Sequence, residues 1–305
     1  MWAMVLDIAL VGTGGMMPLP TRWLSSVLIR YADHLVLFDC GEGTQISLRT
    51  LGWGIKGIDL ILISHVHGDH IAGLPGLLLT QSNSARTEPV DVLGPPGMTD
   101  AVDRLRVIAP YLPFDVRCRD LQPGDTFELG GLRGSCTQAE HHVPCLAYRL
   151  EVPRGRAFLP DRARRLAIPV EHWRALQREE IVTWDGHTAT PDEVLGPRRT
   201  GLAMALVTDT RPTPDLERLA RNVDLLICEG TYGSSDDQPK AVERKHMTFA
   251  EAACLARNAG ARKLLLTHFS PAVVDPLQYA QNATIVFPET VVGRDHLTLT
   301  LNFPT

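Results

Sequence analysis

One feature constrains the fold of this sequence most. A short apolar strand runs directly into a cluster of side chains that can bind metal. Residues 60–64 read Leu-Ile-Leu-Ile-Ser, and residues 65–70 read His-Val-His-Gly-Asp-His. Two imidazoles two positions apart, followed by a carboxylate and a third imidazole, can converge from one strand-end loop on two adjacent cations. Gly68 allows the turn to be tight. The cluster therefore predicts a metal site at the end of a buried strand.

Three further residues of ligand type stand beside apolar runs. Asp209 follows residues 205–208, His268 follows residues 264–267, and His141 comes shortly before residues 143–148. A pair of metals needs such additional ligands, and a paired centre stabilises both the attacking and the leaving oxygen of an in-line displacement. Hydrolysis is therefore the reaction class that the ligand pattern favours.

Composition describes an ordinary globular protein of 305 residues, with 44% hydrophobic and 21% charged residues. These values exclude a disordered chain, a collagen-like repeat and a disulfide-stapled mini-protein. The six cysteines are scattered without a CxxC pair, which is typical of reduced thiols in a cytoplasm. The apolar N-terminus has no basic leader and no apolar run is long enough to cross a bilayer, so we expect a cytoplasmic protein without a membrane segment.

Alternating short apolar runs and helical stretches predict the α/β class. Strands are expected at Val5–Val11, Ser26–Arg30, Leu35–Phe38, Leu60–Ser64, Val90–Leu93, Met204–Val207, Leu225–Cys228 and Lys263–Thr267. Helices are expected at Gly43–Leu51, Gly73–Gln81, Met98–Ala109, Pro160–Leu166, Thr213–Asn222 and Thr248–Ala259. Chemistry on such a frame is expected in the loops that leave the strand ends.

Residues from about 150 to 200 differ from the rest of the chain in being more polar and richer in proline and arginine. We interpret them as an inserted arm, the alternative being a simple irregular loop. Five arginines lie between residues 154 and 165 against one acid, Asp161. On composition alone a solvated helix face explains that run equally well. The formal net charge of -5 argues against nonspecific coating of nucleic acid, although a local basic patch is compatible with it.

The motifs resemble the metallo-β-lactamase superfamily and, more closely, the ribonuclease Z family of tRNA 3′-processing endonucleases. The resemblance covers nearly the whole chain. It rests on Val11-Gly-Thr-Gly-Gly15, Phe38-Asp-Cys-Gly-Glu-Gly-Thr-Gln45, the segment from Ser64 to Leu77, Gly94-Pro-Pro-Gly97, Thr208-Asp-Thr-Arg-Pro212 and Leu266-Thr-His-Phe-Ser270.

The resemblance implies a four-layered αβ/βα sandwich with a protruding arm, in which residues 1–305 form a single catalytic domain. It also implies two zinc ions per subunit, with manganese or another divalent metal as an alternative. One zinc would be held by His65, His67 and His141, the other by Asp69, His70 and His268, and Asp209 would bridge them. His141 matches the family ligand better than His142 does, because it stands three residues before Pro144.

The resemblance further assigns roles in catalysis. His246, in Lys245-His-Met-Thr248, resembles the histidine of a His-Ser-Thr loop that serves as general acid. Glu229, in Cys228-Glu-Gly-Thr231, would orient His246, and Asp69 would be both a metal ligand and the general base.

The implied substrate is precursor tRNA, cleaved to leave a 3′-hydroxyl on the tRNA and a 5′-phosphate on the trailer. The resemblance implies a homodimer with neither a membrane nor DNA as partner. Substrate contacts are expected from Arg22 and from the arm at about 150–200, through Arg154, Arg156, Arg162, Arg164 and Arg165.

Several segments depart from the family pattern. Pro18-Leu-Pro-Thr-Arg-Trp23 lacks the first basic residue and the asparagine of the usual loop. Ala167-Ile-Pro169 is followed by Val170-Glu-His-Trp173, where the family usually has Pro-Gly-Pro. Met247 and Cys228 also replace the usual serine and histidine of their motifs.

These departures leave a second function open, that of a related dinuclear zinc hydrolase acting on small phosphodiesters, sulfate esters or lactones. A non-catalytic zinc protein that binds RNA would instead predict a missing ligand, whereas all seven ligand positions are filled. Gly12-Thr-Gly-Gly15 lacks the spacing of a dinucleotide site, and no nucleophile elbow points to a serine hydrolase.

Overall fold

The computed structural model describes residues 5–304. The strands are β1 Leu6–Gly12, β2 Ser26–Tyr31, β3 His34–Phe38, β4 Ile58–Leu62, β5 Val90–Gly94, β6 Val116–Asp120, β7 Thr126–Leu129, β8 Leu132–Gln138, β9 Leu146–Val152, β10 Val182–Trp184, β11 His187–Ala189, β12 Leu202–Val207, β13 Leu225–Glu229, β14 Leu264–Thr267, β15 Thr290–Val292 and β16 Thr298–Leu301. The helices are α1 Thr44–Leu51, α2 Gly68–Ile71, α3 Leu74–Asn83, α4 Met98–Leu105, α5 Pro160–Arg165, α6 Val170–Gln177, α7 Pro191–Val194, α8 Pro214–Leu219, α9 Gln238–Arg244, α10 Phe249–Ala259 and α11 Ala280–Thr284. Short 3₁₀ turns cover Arg106–Ile108, Ser235–Asp237 and Pro276–Tyr279.

Two seven-stranded sheets form the frame of the molecule. The first has the order β16-β1-β2-β3-β4-β5-β6 and the second the order β15-β14-β13-β12-β9-β8-β7. Strands β3 to β6 pair in parallel in the first sheet, as do β12 to β15 in the second. Parallel strands end at the same edge of a sheet, so the residues that follow them gather there.

Each sheet is covered by helices on one face. Apolar residues of α1, α3 and α4 pack on strands β1 to β5, and those of α8, α10 and α11 pack on β12 to β14. The two sheets meet through contacts such as Phe38 on Tyr148, whose hydroxyl donates a hydrogen bond to the carbonyl of Ile63. The arrangement is the predicted four-layered αβ/βα sandwich.

The predicted elements are all present, with shifted ends. Strand β4 ends at Leu62, before the predicted Ser64, because the Ser64 amide and hydroxyl donate to the Asp39 carboxylate instead of continuing the ladder. The predicted helix over 98–109 ends as α4 at Leu105 and continues as a 3₁₀ turn. Eight of the described strands escaped prediction, namely β6 to β11, β15 and β16. All of these except the mostly buried β9 have several polar or partly exposed residues, which weakens an apolar signal.

Contacts between residues divide the described chain into two units. One comprises the described part of Met1–Glu151 with Ala203–Asn302, and the other comprises Val152–Leu202 with the described part of Phe303–Thr305. The second unit has α5, α6, α7 and the hairpin β10-β11 around a small apolar core that includes Ala163, Leu176 and Val194. A single catalytic domain over 1–305 stays a prediction, and its ends at 1–4 and 305 lie outside the described residues.

Within residues 5–304, no helix has both the length and the hydropathy needed to cross a membrane.

Candidate metal centre

Loops at the ends of parallel strands carry most of the predicted ligands. The segment 65–70 follows β4 of the first sheet, while Asp209 follows β12 and His268 follows β14 of the second sheet. His141 stands in the connection between β8 and β9. Asp209 and His268 both adopt left-handed backbone, with φ of 43° and 57°. Such angles are uncommon for non-glycine residues and recur at functional sites, where surrounding contacts hold them.

The structure brings a first group of donors together from His65, His67, His141 and Asp209. His67 Nδ1 lies 3.0 Å from His65 Nε2 and 3.2 Å from His141 Nε2. Asp209 Oδ2 lies 3.7 Å from His65 Nε2 and 3.9 Å from His141 Nε2. Three imidazole nitrogens and one carboxylate oxygen therefore face a common point.

A second group consists of Asp69, His70, His268 and the same Asp209. His70 Nε2 lies 3.1 Å from His268 Nε2, and Asp69 Oδ2 lies 3.4 Å and 3.5 Å from these two nitrogens. Asp209 Oδ1 lies 3.4 Å from His70 Nε2 and 3.1 Å from His268 Nε2. The two oxygens of Asp209 thus face different groups, the arrangement expected of a bridging carboxylate.

Hydrogen bonds on the outer ring nitrogens orient the imidazoles. Nδ1 of His70 lies 2.7 Å from Asp39 Oδ2, Nδ1 of His268 lies 3.1 Å from Thr231 Oγ1, and Nδ1 of His141 lies 3.4 Å from the carbonyl of Lys245. When Nδ1 donates its proton outward, Nε2 keeps a lone pair directed into the group. These contacts therefore prepare the rings to bind a cation.

Electrostatics in the two groups also suit a cation. Burial lowers the pKa of His65 well below its ordinary value and that of His141 to about 4, so both are neutral ligands near pH 7. Burial opposes a charge on His70 as well, but Asp209, Asp39 and Asp69 raise its pKa well above the ordinary value. Burial likewise opposes the charge of Asp209, whose pKa the nearby histidines His268, His70 and His65 hold well below its usual range. Neutral His65 and His141 beside an ionised Asp209 form a donor set that fits a divalent metal ion, and His70 would release its proton when a metal binds.

The predicted acid and its partner lie beside these groups. His246 Nδ1 is 3.3 Å from Glu229 Oε1 and 3.9 Å from Asp209 Oδ2. Burial lowers the pKa of His246, but the Glu229 carboxylate outweighs that effect and raises it to about 9. Glu229 is itself fully buried and accepts the backbone N–H groups of Thr210 and Met247. The pair is therefore held rigidly against the second sheet.

Asp39 and Thr231 are site residues that sequence reasoning missed. Asp39 is fully buried in left-handed backbone and accepts hydrogen bonds from Ser64 as well as contacting His70. Thr231 contacts both His268 and Glu229. A signal existed for Asp39, which ends the apolar run of β3 inside one of the resemblance motifs. Thr231 also had a signal, since it is the last residue of the motif Cys228-Glu-Gly-Thr231, from which only Glu229 was given a role.

The predicted substrate arginines show two kinds of environment. Most have partners: Arg22 donates to the carbonyl of Val274, Arg154 to that of Pro304, Arg156 to that of Gly196 and to Asp192, and Arg164 to Asp161. In contrast, Arg162 and Arg165 are exposed and form no ion pair with any of residues 5–304. Arg22 does not line the open cleft at the two donor groups.

An open cleft of about 360 Å³ gives access to both donor groups. His67, Asp69, His141, Asp209 and His246 line it. Further lining residues, which were not predicted as site residues, are Met16, His142, Tyr232, Lys240 and Arg244. His142 thus lies beside the donors without belonging to either group, as expected.

Comparison with known proteins identifies the family. The chain is 44% identical to the ribonuclease Z of Lachnoclostridium phytofermentans over 98% of this chain and 99% of that protein. It is 45% identical to the ribonuclease Z of Clostridium beijerinckii with the same coverage. The chain belongs to the ribonuclease Z family. The predicted resemblance is thereby confirmed.

Solved structures place this ribonuclease Z family member in the metallo-β-lactamase fold. The metallo-β-lactamase fold protein YhfI from Bacillus subtilis has a TM-score of 0.72 at 19% identity, covering 98% of this chain and 100% of that one. The short form of human tRNase Z has a TM-score of 0.70 at 24% identity with the same coverage. A family model described as Anti-Pycsar protein Apyc1 also matches residues 6–105. Ribonuclease Z relatives thus span the whole chain, whereas the Apyc1 match covers its first third.

Proposed function

We propose that this ribonuclease Z family member is a metal-dependent endoribonuclease that removes the 3′ trailer from precursor tRNA. It cleaves one phosphodiester, leaving a 3′-hydroxyl on the tRNA and a 5′-phosphate on the trailer. The observation that supports this function best is the position of Asp209. Its two oxygens face two His/Asp groups in an open cleft beside His246. Relatives named ribonuclease Z that span the whole chain support the RNA substrate.

The metal ligands in this proposal are the seven predicted residues. His65, His67 and His141 would hold one ion, Asp69, His70 and His268 the other, and Asp209 both, with zinc as the proposed metal and manganese as an alternative. When bound, such a pair stabilises the charge that develops on the phosphodiester oxygens during in-line displacement.

The protein's own side chains would donate and accept the protons that the reaction requires. Nδ1 of His246 is engaged by Glu229, which leaves Nε2 as the atom that gives a proton to the departing 3′ oxygen. Glu229 keeps the ring in that orientation through its contacts with two backbone amides. Asp69 lines the cleft and would accept the proton of the attacking water.

The arm at about 150–200 is proposed to contact the tRNA through its arginines. Arg162 and Arg165 support this role, because they are exposed and form no ion pair with the described residues. Arg154, Arg156 and Arg164 would add charge, although each also holds a partner within the arm's own unit. Arg22 would act on the substrate only indirectly, since it donates to main-chain carbonyls.

A homodimer is the proposed assembly. Helices α1, α3 and α4 pack beside one another on the first sheet. Helices α1 and α3, the 3₁₀ turn after α4 and the loop that follows this turn expose the large apolar side chains of Ile46, Leu79, Val107, Ile108 and Tyr111. Apolar exposure of this kind favours burial against a second copy.

We also propose a cytoplasmic location, where precursor tRNA would be met in a reducing environment. All six cysteines are free thiols, which is consistent with such a compartment.

The test incubates metal-loaded protein with a 3′-extended precursor tRNA and, separately, with bis(p-nitrophenyl) phosphate. We expect one metal-dependent cut that leaves a 3′-hydroxyl on the tRNA. Chelation or Asp69→Ala should abolish the cut, and His246→Ala should lower kcat by about 10²–10⁴-fold because the leaving oxygen loses its acid.

The matched control is His34→Ala, which removes a histidine at the start of β3 and should leave the rate unchanged. Turnover of the small diester with the precursor tRNA left intact would contradict the tRNA-processing function. That outcome would instead favour a hydrolase of small phosphodiesters.

A further inference from the structure

Two basic side chains on α9 line the cleft without belonging to either donor group. Lys240 and Arg244 stand four residues apart in α9, so they lie on the same face of that helix. Both line the cleft that contains His246 and Asp209. They were not among the predicted site residues, because two basic residues in a polar helix resemble an ordinary solvated surface.

The position of α9 is tied to His246. The helix ends at Arg244, and the next residue, Lys245, turns the chain with a φ of 56°. The amide of His246 donates to the carbonyl of Ala241 at 2.8 Å. Ala241 is fully buried, and Gln238 donates to Glu251 of α10 at 3.4 Å. Lys240 and Arg244 are therefore held at a set place relative to the proposed general acid.

The aromatic ring of Tyr232 packs against the Lys240 ammonium. The Lys240 ammonium lies 5.1 Å from the centre of the Tyr232 ring, within cation–π range. Tyr232 is only 3% exposed, and its main chain forms hydrogen bonds with Met247 and Phe249, which follow His246 in the chain. This contact keeps Lys240 at the cleft wall.

The charges of the two residues are largely unneutralised. Lys240 forms no ion pair with any of residues 5–304, and Arg244 has only the exposed carboxylate of Glu243, with Oε1 3.8 Å from Nε. The acids that line the cleft are Asp69 and Asp209, both assigned to the donor groups. The wall formed by α9 therefore presents two cations beside the site where a phosphodiester would be cleaved.

We propose that Lys240 and Arg244 bind backbone phosphates of the RNA next to the bond that is cleaved. This inference rests on the proposed function, because it needs a polynucleotide whose neighbouring phosphates can reach α9. Lysine and arginine contact phosphate through charge-assisted hydrogen bonds. The contact anchors the strand and raises affinity without itself reading sequence.

The test compares Lys240→Ala/Arg244→Ala with the control Lys56→Ala/Arg221→Ala, which removes the same charge from exposed positions outside the cleft. We expect the α9 variant to lose about tenfold or more in kcat/KM on precursor tRNA beyond any loss on bis(p-nitrophenyl) phosphate, mainly through KM. The small diester has no second phosphate, so it isolates the chemistry. The charge-keeping variant Lys240→Arg/Arg244→Lys should restore most of the affinity.

A binding experiment separates this inference from the proposed function. In a His246→Ala background, the affinity for precursor tRNA is measured between 50 and 200 mM salt. Removing two phosphate contacts should lower the slope of log Kd against log salt by about 1.5. A slope and an affinity equal to those of the control double variant would overturn the inference, even if wild-type protein cleaves the precursor. Failure of wild-type protein to cleave would count against the proposed function, while the binding comparison would still decide the role of α9.

Discussion

At the scale of single residues, hydrogen bonds to the outer ring nitrogens determine whether the ligand histidines are oriented to bind a metal. Asp39 illustrates this most clearly, because it is fully buried and joins Ser64 to His70. Burial raises the pKa of Asp39, and the nearby His70 and Ser64 only partly offset that effect. The carboxylate of Asp39 contacts Nδ1 of His70. This contact directs Nε2 of His70 toward the second donor group.

Asp39→Asn is expected to weaken metal binding by about 10–100-fold, since an amide cannot accept hydrogen bonds from both partners through two oxygens. The measurement is a zinc titration against a chromogenic chelator. Asp33→Asn, at an exposed turn before β3, is the matched control and should bind as wild type does. Equal affinities in the two variants would show that Asp39 does not orient the ligand.

At the scale of elements, the loop after β1 lies against the end of β14. The amide of Gly15 donates to the carbonyl of Phe269 at 3.0 Å, and the amide of Met16 donates to Asp69 Oδ2 at 2.6 Å. A Cβ on Gly15 would lie only 2.5 Å from Cε1 of His268. Glycine is therefore required where this loop passes a proposed ligand.

Gly15→Ala is expected to displace His268 and to lower both metal content and kcat/KM by about tenfold or more. Gly57→Ala is the matched control, because the nearest atom to its Cβ would be Leu35 Cδ1 at an ordinary 3.8 Å. Metal content by atomic absorption and turnover of the small diester measure the two effects. Full metal content and activity in Gly15→Ala would contradict the role given to this close approach.

At the scale of the whole molecule, the exposed apolar side chains on the helices of the first sheet bear on assembly. Val107 is 76% exposed and Ile46 is 52% exposed, although both are large and aliphatic. Burying such surface against a second copy removes it from water and favours association.

Ile46→Glu/Val107→Glu is expected to shift the protein from dimer to monomer in sedimentation velocity. The two new carboxylates would have to lose their hydration to enter the dimer interface. Ile285→Glu, which places a charge at a position 74% exposed beyond α11, should leave the dimer intact. A wild-type protein that sediments as a monomer at micromolar concentration would refute the proposed homodimer.

The sequence alone determined the layered α/β class, the positions of about half of the described strands and helices, and the seven proposed ligands. Those features have local signals, since an apolar run with a polar stop marks a strand end and 65–70 holds four ligand-type side chains in six residues. Only the tertiary structure decided that Asp209 directs one oxygen to each donor group, that Asp39 supports His70 and that Gly15 makes room for His268. It also decided that Arg22 is engaged by main-chain carbonyls while Lys240 and Arg244 line the cleft. The physical reason is that these contacts join residues far apart in the chain, and their geometry depends on how the two sheets pack.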